Sequence, residues 1–188
     1  LNTAREGAGG SGLSNTNALA SGGETSTPAR VGNTESWDGT SWTEVNDLNT
    51  SRSINSSSGS NSSSITFGGY NGSAVVTNNE EWSTTRPVGA WSTGGDMNTA
   101  REKEGTASAA PSTNSFAFSG ESPGTDLMGN SENYNGTSWT EVADLNTARK
   151  GIAGGGIYTS ALGFGGDTGS FSGLTESWNG SAWTEVAD

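Results

Sequence analysis

The most regular charged side chains of this 188-residue chain are four arginines and four glutamates. Arg5, Arg52, Arg101 and Arg149 each end a copy of the phrase LNTAR or a close variant, and Glu35, Glu80, Glu132 and Glu176 each stand just before an aromatic. Four cations at one periodic position could gather an anionic ligand such as an acidic sugar. Paired with carboxylates they act instead as struts, because a planar guanidinium meets a carboxylate through two parallel hydrogen bonds. Both partners recur with the same period, as do Asp47, Asp96, Asp144 and Asp188. The strut is therefore the expected role, each arginine meeting a repeat carboxylate or loop carbonyls between neighbouring units. Glycoside hydrolysis would need two singular carboxyls with separated pKa values. Here the acids are repeated, and Glu80-Glu81 and Glu102/Glu104 have no motif around them. No catalytic residue and no enzymatic activity are expected.

Composition narrows the chemistry further. There is no histidine and no cysteine, so the commonest general base, thiolate metal sites and disulfides are all missing. Calcium could use Asp and carbonyl oxygens, but no D-x-D-x-D-G loop is present. Neither a metal nor a cofactor is expected. A net charge of −12 disfavours nucleic acid and anionic membrane surfaces, and no apolar run is long enough for membrane insertion. The first residue is not methionine, so a processed chain or a segment of a longer one is expected. At 29% hydrophobic with 30 glycines, the chain can bury a core only if repeated units share it.

Such units are present, at 1–47, 48–96, 97–144 and 145–188. In each, LNTAR leads into a small-residue stretch (EGAGGSG, SINSSSGS, KEGTASAA, KGIAGGG). An apolar segment then ends in glycine (ALASGG, SITFGG, SFAFSG, ALGFGG). An aromatic hairpin closes the unit, carrying Trp37 and Trp42, Trp82 and Trp91, Tyr134 and Trp139, or Trp178 and Trp183. Asp38-Gly39, Asn135-Gly136 and Asn179-Gly180 are tight-turn pairs. With a two-residue loop the aromatics are diagonal; with four they are directly opposite; either register puts both on one face. Repeat two inserts four residues, an even number that can preserve the facing. Each unit reads as a four-stranded antiparallel sheet. Its Gly/Ala/Ser strand lies near a central axis, Phe67, Phe116, Phe118, Leu162 and Phe164 pack between sheets, and the Trp hairpin lies outside. The fold class is all-β, a propeller of four such blades. A parallel β-helix fits less well, having a shorter coil and no tight hairpins.

The order of small strand, FGG, E-x-W/Y, spaced Trp, polar turn and Arg resembles the kelch repeat, in ALGFGG (161–166) and ESWNGSAWTEVAD (176–188) most plainly. More narrowly, TESWNGSAWTEVAD and EVADLNTAR are similar to kelch-like repeats of environmental, especially marine, phage and viral proteins. Kelch propellers more often have six or seven blades, and this chain departs from the pattern at ALASGG and at the SG of repeat three. The resemblance implies four kelch-like blades. The copper chemistry of one kelch-like branch uses a Cys-modified Tyr and His ligands, which this chain lacks.

The aromatic pairs are expected to pack between blades rather than stack on sugars. Segments 24–34, 70–79, 121–131 and 167–175 vary between repeats and read as surface loops, the natural place for recognition. Val75, Val76, Leu127, Met128 and Phe171 within them are candidate contacts to a partner. Asn49, Asn55, Asn61, Asn71, Asn135 and Asn179 head N-x-S/T sequons and are candidate glycosylation sites. The expected function is a non-enzymatic structural or display module of a virion appendage (tail fibre-like) or an extracellular filament, at a virion surface or outside the cell. Its expected partners are further copies or other structural subunits. The alternative is an adhesin binding cell-surface glycans through the variable loops. Because Asp188 stands to Leu1 as Asp47 stands to Leu48, the two ends are expected to meet in a closed ring or to meet a neighbouring chain.

Overall fold

In the computed structural model, which describes residues 1–85, 89–107 and 111–188, the described chain is strands and turns without a helix. Blade 1 holds β1 (Gly9–Ser14), β2 (Asn17–Ser21), β3 (Thr34–Trp37) and β4 (Trp42–Val45). Blade 2 holds β5 (Ser56–Gly59), β6 (Ser63–Phe67), β7 (Asn79–Ser83) and β8 (Ala90–Thr93). Blade 3 holds β9 (Gly105–Thr106), β10 (Phe116–Glu121), β11 (Leu127–Tyr134) and β12 (Trp139–Val142). Blade 4 holds β13 (Ala153–Ile157), β14 (Ser160–Phe164), β15 (Thr175–Trp178) and β16 (Trp183–Val186). Every sheet is an antiparallel meander in chain order, and the four form a four-bladed β-propeller.

The small-residue strands lie side by side, β1 against β5, β5 against β9 and β9 against β13. Their lack of bulk is a steric necessity. A Cβ on Gly9 would sit 2.2 Å from Ser57 Oγ, and one on Gly154 would sit 2.4 Å from the Thr106 carbonyl. The remainder of the KEGTASAA stretch, residues 108–110, lies outside the described residues.

The outer hairpins use the four-residue loop. Trp37 faces Trp42, Tyr134 faces Trp139 and Trp178 faces Trp183 directly. The turns work through side chains: Asp38, Asn135 and Asn179 each accept, at Oδ1, the backbone N–H groups two and three residues on. Trp82 faces Trp91 as well, so the longer loop of repeat two keeps the facing. Its residues 86–88 lie outside the described ones.

Three apolar clusters join the blades. Leu19 of blade 1 packs with Trp82 and Trp91 of blade 2. Ile65 and Phe67 of blade 2 pack with Tyr134 and Trp139 of blade 3, and Phe116 and Phe118 of blade 3 with Trp178 and Trp183 of blade 4. Leu162 and Phe164, expected between sheets, instead remain 44% and 45% exposed, because among the described residues no other blade packs on that face of blade 4. Two further expectations are corrected. Segment 121–131 is not all loop, since β11 begins at Leu127. Val76 and Met128 are buried rather than displayed, and Val75 and Leu127 are half-buried; Phe171 alone of the five is exposed.

Candidate functional site

Each repeated arginine lies buried inside its own blade. Arg5 meets Glu35 at 2.7 Å, Arg101 meets Glu132 at 2.5 Å and Arg149 meets Glu176 at 2.5 Å. Arg52 pairs likewise with Glu80. These side chains are at most 3% accessible, so no ring of free cations exists among them to collect an anion. Further guanidinium N–H groups donate to backbone carbonyls, as from Arg52 to Asn78 and from Arg101 to Asn130. The rest of LNTAR converges on the same carboxylate. The backbone N–H groups of Asn49 and Thr50, with Asn49 Nδ2, donate to Glu80, and the pattern repeats at Asn98 and Thr99 and at Asn146 and Thr147. Leu48, Met97 and Leu145, at the head of the phrase, plug the core.

Burial pushes the Glu35 carboxyl up, but the Asn2 and Thr3 amides and Arg5 together hold it below its usual value. Glu176 is held low in the same balance, by Arg149 and Asn146 against burial. The repeated aspartates do different work. Asp47, Asp96 and Asp188 accept the backbone N–H groups of Thr34, Asn79 and Thr175 at the strand starts.

What the sequence did not reveal is how the phrase joins blades. The second glycine of each pair donates its N–H to the next repeat's arginine carbonyl: Gly23 to Arg52 at 2.7 Å, Gly69 to Arg101 at 2.9 Å and Gly120 to Arg149 at 3.0 Å. The preceding residue must be left-handed and nearly bare, since a Cβ on Gly22 would sit 2.6 Å from the Arg52 carbonyl. Ser119 occupies that place in repeat three at φ 67°, and its hydroxyl donates to the Arg149 carbonyl.

Most of the aromatics are committed as well, although the buried Trp139 Nε1 makes no hydrogen bond among the described residues. Trp37, Trp82 and Trp178 donate their indole N–H to carbonyls of their own blades. Trp91 and Trp183 donate to Thr34 and Ser131 of the preceding blade. Tyr134 donates to Glu81. Burial, followed by that carboxylate, pushes its phenol up to about 12.

Two features fall outside the repeat plan. Glu104 is buried between blades 2 and 3, and burial pushes its carboxyl up to about 7. On one rim, Lys103 and Lys150 grip Glu121 at 2.5 and 2.7 Å, bridging blades 3 and 4. Although burial opposes it, this double grip holds the Glu121 carboxyl low. Beside them lies an open depression of about 320 Å³ lined by Lys103, Lys150, Gly151, Gly166, Asp167 and Phe171, whose ring is 97% exposed. Among the described residues no group of three or more His, Cys, Asp or Glu could hold a metal ion.

Of the sequon asparagines, Asn55 is buried with Nδ2 donating to the Ser21 carbonyl, and Asn49 is tied to Glu80. Asn71 caps a turn at its own Oδ1, as Asn135 and Asn179 do, and Asn61 is half-buried. Comparison with protein-family models and with curated proteins gave no match for this chain.

Proposed function

We propose that the chain is a kelch-like structural and display module, without enzymatic activity, of a virion appendage or an extracellular filament. One observation carries this reading: the regularly repeated charges brace each blade from within, and the repeated aromatics of blades 2, 3 and 4 pack against the preceding blade. Four Arg–Glu pairs and six of the eight hairpin aromatics are buried, so these repeated side chains are occupied within the scaffold. The segments that differ between repeats join the second strand of each blade to the third, and surface connections of this kind are the natural place for recognition.

The adhesin reading is favoured by the rim depression, where an exposed aromatic stands beside two lysines. A glycan array probed with the native chain and with versions whose variable segments are exchanged separates the two. The structural reading expects no specific glycan signal from either. Specific binding that moves with the exchanged segments would overturn it in favour of the adhesin.

A further inference from the structure

The three junctions inside the chain follow one pattern, and the two outermost faces each carry half of it. On the forward side of a junction, Leu19, Ile65, Phe67, Phe116 and Phe118 are at most 2% exposed. The strand registers put Leu162 and Phe164 at these positions on blade 4, where they are 44% and 45% exposed. On the receiving side, the aromatic pairs of blades 2, 3 and 4 are at most 6% exposed. The corresponding pair on blade 1, Trp37 and Trp42, is only half-buried.

The polar contacts are halved in the same way. Gly166 occupies the place of Gly23, Gly69 and Gly120, and Arg5 that of Arg52, Arg101 and Arg149. Among the described residues, Gly166 N–H and the Arg5 carbonyl make no such joint. An indole N–H crosses two of the three junctions, to Thr34 and to Ser131. Trp139 makes no such bond at the junction between blades 2 and 3, and Thr175, at the matching place on blade 4, accepts none among the described residues.

The shapes also match. Phe118 of blade 3 nests on two glycines of blade 4, paired across the ladder: a Cβ on Gly154 or Gly163 would lie 2.7 or 2.9 Å from its ring. The same ladder position on blade 1 is Gly10 opposite Ala20. There, with Ala18 and Trp42, these residues line an open groove of about 390 Å³, and nothing lies within 4 Å of a Cβ on Gly10.

We propose that the forward face of blade 4 docks on the receiving face of blade 1 of a second copy of this chain, continuing the blade series head to tail. Phe164 would enter the groove at Gly10 and Trp42, and Gly166 N–H would reach the Arg5 carbonyl. The two faces differ from each other, so the contact is heterologous and yields a closed ring or an open string of copies. This deepens the structural-module reading and rests on it by naming its partner. One position departs from the template: where Glu121 meets Lys150 at the last internal junction, Asp167 would meet Glu6. Salt that screens this acidic pair favours association.

Sedimentation of the chain at about 100 µM, a range that captures micromolar contacts, reads the assembly directly. Dimers or longer species are expected. Phe164→Glu and Trp42→Glu should each abolish self-association, and mixing the two variants should restore a one-to-one complex through the face each retains. A second measurement does not depend on those substitutions. Ser11 and Ser64 hydroxyls touch at 2.7 Å across the first junction, and Gly155 and Ala18 hold the matching positions on the outer faces. The chain has no cysteine, so Gly155→Cys mixed with Ala18→Cys should form the mixed disulfide in preference to either homodimer. A monomeric native chain, association unchanged in both glutamate variants, or crosslinks without preference would overturn the docking. The glycan array would still decide the structural-module reading by itself.

Discussion

At the residue scale, the recurring arginine is a strut whose value lies in its partner. Removing one member of a buried ion pair leaves an uncompensated charge, so Arg101→Met should cost about 3–5 kcal/mol in denaturant unfolding. Adding Glu132→Gln should recover part of that loss, since a neutral amide still accepts from the Asn98 N–H. Glu104 makes an opposite prediction. Its folded pKa, about 7, lies above the ordinary 4.5, so the folded state binds an extra proton between those values. Stability from this group is full below about pH 4.5 and declines as pH rises to about 7, by up to ~3 kcal/mol. Glu104→Gln should flatten that decline and raise the melting temperature at pH 8 while leaving it nearly unchanged at pH 5. Glu35 and Glu176 titrate with the other sign. Their contribution is present above 4.5 and is lost as pH falls through their lowered pKa values, so acid unfolding should begin there.

At the element scale, the same aromatic position has different worth in different blades. Phe118 is fully buried and Phe164 is 45% exposed, although they hold the same place in the repeat, before Ser119-Gly120 and before Gly165-Gly166. Phe118→Ala should cost about 3–5 kcal/mol through lost burial and a cavity. Phe164→Ala, measured at a dilution where the chain is monomeric, should change stability by no more than about 0.5 kcal/mol. The glycine pair is tested by Gly69→Ala, since its φ is +86° and a Cβ there would lie 2.7 Å from the Ser53 carbonyl. A loss of more than about 1 kcal/mol is expected in thermal melts. The hairpins show where sequence legibility stopped. Asn-Gly signalled a turn, but whether the loop held two or four residues depended on Oδ1 capturing two backbone N–H groups.

At the scale of the whole molecule, stability in a row of repeats is a sum of blade terms and junction terms. Blades 2 and 3 have a junction on each face, whereas blades 1 and 4 have one. Hydrogen exchange should therefore be slowest in β6 and β10 and faster in β1 and β13, with the outer blades gaining protection when copies assemble. The sequence by itself determined the number of units and their antiparallel meander, because periodicity in hydrophobic and turn residues acts locally; for each arginine it offered a repeated acid or loop carbonyls. It could not say which acid. Glu and Asp recur equally, and only the fold brings residues some thirty positions apart, such as Arg101 and Glu132, into contact. Nor could it tell Phe164 from Phe118, whose surroundings in sequence are alike. Burial belongs to the neighbouring blade rather than to the repeat, so only the tertiary arrangement decided which copies of the motif are core and which are open faces.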